Sequence, residues 1–160
     1  MMKTLKILAV AVLITTTLAV IVFAASTPRT ASVTEFRGAV EVRLGAQGKW
    51  LPAKTGMILT QGSAIRTKAN SMAILELDGK AKTAKVEMKE NSQLSFAELV
   101  EDKTQNTQKT LLDLSVGKVM IQVNKLRAAN SKFEVKTPTS IVGVRGTTFA
   151  VAVEAVETLP

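Results

Sequence analysis

Ser115-Val116-Gly117-Lys118 places a lysine three residues after a serine, and Lys54-Thr55-Gly56 adds a second run of the kind used in serine acyl transfer. In enzymes built on that pair, the serine opens a helix, so one helical turn brings the lysine beside the hydroxyl it activates. Here the four residues lie inside Leu112-Asp113-Leu114-Ser115-Val116-Gly117-Lys118-Val119, which alternates apolar with polar and reads as a strand with a bulge at Gly117. The Lys-Thr-Gly run precedes the serine, and the chain has no Ser-Asp-Asn run. Serine chemistry is therefore not expected.

Carboxylates close in sequence are a second source of chemistry, as acid and base or as cation ligands. Glu87 with Glu90, Glu98 with Glu101 and Asp102, and Glu154 with Glu157 are the candidates, and none forms a calcium-type loop. They read as charged surface. The glycines are scattered singly, which excludes a phosphate-cradling loop. The 160 residues contain no histidine and no cysteine. This removes imidazole bases, thiol nucleophiles, cysteine zinc sites and disulfides together. No catalytic, cofactor-binding or metal-binding residues are expected, no cofactor, and no enzymatic activity.

Aromatic rings are few. Phe96, Phe133 and Phe149 are in phase with Leu94, Val135, Val151 and Val153 and are expected in the core. Trp50, between Gly48-Lys49 and Pro52, is either a core or loop anchor or a partly exposed contact residue. Single-strand nucleic-acid sites need several stacked rings, so no nucleic-acid partner is expected.

The elements that must position these residues follow from the hydropathy pattern. Met1–Lys6 carries two lysines, and residues 5–24 are almost wholly apolar, as in a signal peptide or a membrane anchor helix. Residues 1–24 are thus read as leader or anchor, with a membrane tether through 5–24 if it is retained. The remainder is expected outside the cytoplasm, periplasmic or secreted. Residues 25–32 read as a short polar tether, and 154–160 as a C-terminal tail. Loss of Lys3 and Lys6 with the leader takes the formal charge from +8 to +6. Lys80, Lys82 and Lys85 are the densest basic group, read as a solvated face.

From Val33 the apolar period is two, with short runs at Val40–Leu44, Trp50-Leu51, Met57–Leu59, Ala64–Thr67, Met72–Leu77, Ala84–Met88, Gln93–Leu99, Leu111–Leu114, Val116–Val123, Phe133–Lys136, Ile141–Val144 and Thr147–Val153. Asp78-Gly79 is a hairpin signal, Glu101–Thr110 reads as an exposed loop, and Asn124–Ser131 has room for one helical turn. Gly56 and Gly62 hint at a coil spacing without making a repeat. The fold class is all-β: ten or more short strands in a compact sandwich, roll or short β-helix-like domain, preceded by the apolar helix.

The stretch Phe133-Glu134-Val135-Lys136-Thr137-Pro138, continued by Val142-Gly143-Val144-Arg145-Gly146-Thr147-Thr148-Phe149, resembles the close of the FecR domain family: a strand, Thr-Pro, then Val-Arg-Gly-Thr-x-Phe and a last strand. Earlier marks stand in order at Gly38–Val42, Trp50 with Gly56, Gly62–Thr67, Asp78-Gly79, Asn91–Leu94 and Gly117-Lys118-Val119. The resemblance spans residues 33–153. It implies that Thr137, Pro138, Val144, Arg145, Gly146, Thr147 and Phe149 are the family motif. Pro138 should mark a corner. Arg145, between apolar neighbours, should either lock the last strand onto backbone carbonyls or an acid, or face a ligand.

The resemblance further implies a non-enzymatic extracytoplasmic binding or scaffold domain, whose partner is a protein or an anionic envelope polymer. The alternative it implies is a sensory component that relays to a separate transmembrane regulator, as in ferric siderophore uptake. Only Met1–Leu5 precede the apolar run, so a stand-alone member without the cytoplasmic anti-sigma segment is expected.

Overall fold

Alternating apolar residues can bury one face of a strand, and successive strands must then share that buried face. The computed structural model, which describes residues 26–124, 126 and 128–154, realises this as thirteen strands. They are β1 (Ser26–Pro28), β2 (Ala31–Arg37), β3 (Val40–Arg43), β4 (Trp50–Pro52), β5 (Ile58–Leu59), β6 (Ala64–Thr67), β7 (Met72–Leu77), β8 (Ala84–Met88), β9 (Gln93–Asp102), β10 (Thr107–Val123), β11 (Lys132–Lys136), β12 (Ile141–Val144) and β13 (Thr148–Val153). One half of the sheet runs β4-β3-β6-β9-β10-β11-β12, with β1 beside β9; the other runs β5-β2-β7-β8-β10-β13. All pairs are antiparallel except β10 with β11. Because β10 belongs to both halves, the result is one curled sheet, a roll, wrapped around a single core.

Phe96, Phe133, Leu75, Leu94, Leu112, Leu114 and Ile121 are fully buried in that core, and Phe149 packs half-buried against it. Leu44, in phase with Val40 and Val42, was expected beside them. It is 45% exposed, because β3 ends at Arg43 and the chain turns through Gly45.

β10 explains why the sequence pattern shows two strands where the fold has one. Thr110, Leu112 and Leu114 are buried at even positions, but Val119, Ile121 and Val123 are buried at odd ones. The register shift between Leu114 and Val116 leaves Ser115 as an extra residue against β9. A single extra residue exchanges the two faces of a strand. The bulge lets β10 leave β9 and continue beside β13 from Gly117 and between β8 and β13 from Val119.

Several expectations are corrected. The tether at 25–32 is folded from Ser26: β1 pairs with β9, β2 starts at Ala31, and Arg29 between them is 6% exposed. Its guanidinium meets both carboxylate oxygens of Asp78, with Nε 3.0 Å from Oδ1. It also donates to the Thr110 and Thr83 hydroxyls at 2.8 and 3.0 Å, joining the β7–β8 connection to β10. The loop expected at 101–110 shrinks to Lys103–Asn106, because β9 runs on to Asp102 and pairs there with Thr107. Asp102 caps the tight turn, accepting from the N–H groups of Thr104 and Gln105 at 2.9 and 3.1 Å.

Asp78 and Gly79 do take positive φ, 61° and 48°, but the connection continues as a 3-10 turn before β8. Where one helical turn was expected over 124–131, the described part is a turn before β11, closed by the Ser131 N–H on the Ala128 carbonyl at 3.1 Å, and residues 125 and 127 lie outside the described residues. The apolar leader helix lies outside the described residues, as does most of the tail. Among the described residues, no helix is long and apolar enough to cross a membrane.

Candidate functional site

Thr137-Pro138-Thr139-Ser140 forms the corner between β11 and β12. The Thr137 hydroxyl oxygen accepts from the Ser140 N–H at 3.0 Å, and the Thr137 N–H donates to the Ser140 carbonyl at 2.8 Å. Pro138 has no N–H to leave unsatisfied and holds the second position of the turn. Val144 then stands opposite Phe133, half-buried against the core. Gly146, at φ 63°, turns the chain toward β13. The Thr147 carbonyl accepts from the Val123 N–H at 2.9 Å, and Phe149 pairs with Ile121 across the sheet. Six of the seven motif residues thus shape the corner and the return strand.

Arg145 does neither. It is exposed and makes no hydrogen bond or ion pair with any described residue, so of its two expected roles the lock on the last strand is not formed among the described residues. The physical reason is position: among the described residues β12 is an edge strand paired only with β11, so apolar neighbours in sequence do not bury the residue that follows it. Arg145 instead borders an open concavity of about 500 Å³ together with Ser131, Lys132, Phe133, Glu134 and Val144.

The register adds a second cation and a third. Lys109 pairs with Lys132 across β10 and β11, and the β11–β12 register, continued by one residue, brings Arg145 opposite Lys132. All three are exposed, and none has an acidic partner among the described residues. Neighbouring strands lie about 4.8 Å apart, and like charges side by side across strands are destabilising. An anion placed over this row relieves that repulsion. Glu134, two residues along β11, is half-buried and faces Gly143 on the next row. Replacing Arg145 by alanine is expected to leave the thermal midpoint within about 2 °C, checked by circular dichroism melting; a larger drop would mean the side chain holds the fold.

Trp50 lies at the opposite edge. It pairs with Arg43, whose Cζ is 5.3 Å from the ring centroid, and Arg66 Cζ lies 4.1 Å from the same ring. Arg66 Nε donates to Glu41 Oε2 at 2.6 Å, and Lys68 Nζ is 3.5 Å from that oxygen. The half-buried ring is thus already stacked by guanidinium groups. The two arginines were not singled out from the sequence, where only cross-strand register joins them to Trp50.

The Arg66 hydrogen bond is the chief cause that holds the Glu41 carboxyl below the ordinary carboxylate range; partial desolvation opposes it, and the charges of Arg66 and Lys68 assist. A carboxyl lowered on folding stabilises fully above its unfolded pKa, about 4.3. That stabilisation is lost as pH falls through the folded value. Glu41→Gln should therefore flatten the acid limb of a stability-against-pH curve measured between pH 6 and 2.

The other candidates among the described residues do not converge, and Glu157 lies outside those residues. Glu87 pairs with Lys89, Glu90 accepts from the Asn70 N–H, and Asp102 caps its own turn. Ser115 and Lys118 are exposed on β10 and share no hydrogen bond. Among the described residues, no group of three or more His, Cys, Asp or Glu could hold a metal ion.

Comparison with known proteins gives one match. The model of the family described as FecR protein matches residues 63–159. It covers β6 to β13, the corner and the Val-Arg-Gly-Thr motif, and starts after β5. No curated protein and no solved structure matches the chain.

Proposed function

This chain belongs to the FecR family, and from that premise we propose that it is a non-enzymatic binding or scaffold module that works outside the cytoplasm. The family places it with FecR-type sensing and signalling domains in general. The finer reading is recognition of a protein or an anionic envelope polymer at the β11–β12 end. The observation that supports it is Arg145: a motif residue with no structural partner among the described residues, exposed beside Lys132 at an open concavity. The apolar run at 5–24 suits either a leader or a tether for such a module.

A second reading follows from the family itself. In it, the domain is a sensory component that passes occupancy of this end to a separate transmembrane regulator. The two differ in what touches Arg145, a polymer or structural protein in one, a transporter or regulator in the other.

The test compares the unaltered chain, Arg145→Ala and Trp50→Ala for retention on envelope preparations at about 0.15 M and 0.5 M salt. The expected result is loss of retention for Arg145→Ala alone, with some retention surviving the higher salt. Equal retention of all three proteins, or complete loss at higher salt, would assign the binding to diffuse basic charge.

A further inference from the structure

Among the described residues, five strands end the sheet or lie along its margins, and they are not alike. β4 is three residues long and contains Pro52, β5 has two residues, and β1 ends in Pro28. Short length and proline are the usual ways of blocking an edge against another strand. β12 has neither. Ile141-Val142-Gly143-Val144 is four residues long and carries no charge and no proline. Its far side has no pairing partner among the described residues. β13 is also uncharged along its length, but the residue that follows it is the acid Glu154, where β12 is followed by Arg145.

Resting on the binding reading above, we propose that β12 is an acceptor edge: an extended acidic segment of a partner protein adds to it as a further strand. Strand addition satisfies the free N–H and C=O groups of an edge, and alternate side chains give specificity. Ile141, Gly143 and Arg145 share one face by the period of two, with Ile141 62% exposed at one end and Arg145 with Lys132 at the other. An incoming strand thus meets an apolar contact, an open glycine position and a cation pair in that order. The matching segment carries an apolar residue and an acidic residue four positions apart. Charge complementarity selects this occupant over a second copy of the chain, because the residues around the edge, Lys132, Lys136 and Arg145, outnumber the single Glu134. The concavity beside Lys132 and Arg145 leaves room for the acidic side chain.

The test uses blocked nonapeptides of threonine and valine that carry glutamate and isoleucine four positions apart, in both orders, titrated into the full chain and followed by calorimetry. One order is expected to bind. Binding should fall roughly tenfold when the glutamate is replaced by lysine or when the protein carries Arg145→Ala, the effect of one charge-assisted hydrogen bond. N-methylation of alternate peptide nitrogens should abolish it, while leaving charge unchanged. Equal binding of the N-methylated peptide overturns strand addition, since the cations would then accept any anion, a wall polymer included; the binding reading survives that result. Binding of no peptide, or a concentration-dependent dimer in sedimentation that Val142→Lys dissolves, also overturns it. Unchanged envelope retention by Arg145→Ala would instead remove the underlying binding reading.

Discussion

Arg29→Ala is expected to lower the unfolding free energy by about 3–5 kcal/mol, the cost of removing one partner from a buried ion pair. The arginine side chain is 5% exposed and Asp78 13%, so neither charge has water to replace the other. Removal leaves the Asp78 carboxylate with the Thr83 hydroxyl and strips the Thr110 hydroxyl of its donor. The lost contacts also tie the β1–β2 junction to the β7–β8 connection and to β10, three segments far apart in the chain. Urea unfolding should show a lower midpoint with an unchanged slope. Arg29→Met combined with Asp78→Asn should recover much of the loss, because paired removal leaves no orphaned charge and asparagine tolerates the positive φ of position 78. A loss below about 1 kcal/mol for the single change would mean that Arg29 behaves as a solvated surface residue.

Gly117→Ala is the second change with a large expected effect. A Cβ at this position would stand 2.2 Å from Ser92 Oγ and 2.4 Å from Ser92 Cα, at φ +96°. The hydroxyl could swing away but the backbone atom cannot. Ser92 is itself held, its Oγ accepting from the Lys118 N–H at 2.9 Å and donating to the Glu90 carbonyl at 3.1 Å. Backbone strain of about 1–2 kcal/mol and overpacking of about 1–3 kcal/mol add to an expected loss of about 2–5 kcal/mol. Gly79→Ala is the matched control: its φ is also positive, +48°, but nothing lies within 4 Å of the added atom. The difference between the two variants in urea unfolding isolates the steric part. Equal losses would show that φ alone matters and that Ser92 yields.

These two positions also mark what the sequence could and could not reveal. β6, β7, β8 and β12 stand where the apolar pattern places them, because each is short and lies within one half of the sheet, and β7 and β8 bury alternate residues along their length. β10 was divided in the pattern because the Ser115 bulge reverses its phase, although Gly117 is where a bulge was expected. Arg29 sat in a stretch of small and polar residues, and nothing local betrays a partner at Asp78, which only the folding of β7 beside β2 supplies. Thr137, Pro138 and Gly146 were legible, since turn chemistry is local.

Arg145 was not, because apolar neighbours mean burial in a central strand and not at an edge. The same holds for the cation row. Lys109, Lys132 and Arg145 share no sequence period, and they meet through a parallel β10–β11 pairing that alternation alone does not specify. Glu87, Glu90 and Asp102 show the converse, drawn from carboxylate pairs close in sequence yet separately engaged as a salt-bridge partner, an acceptor for a loop amide and a turn cap.

The central claim is that the β11–β12 end is the binding face, and site-specific photo-crosslinking in intact cells tests it most directly. A photoreactive residue at Lys132 is compared with one at Lys54, outside the concavity, each with and without Arg145→Ala. The predicted result is a discrete adduct from position 132 that is lost with Arg145→Ala, while the melting temperature stays the same and position 54 gives none. An adduct from position 54 alone, or one from position 132 indifferent to Arg145, would contradict it.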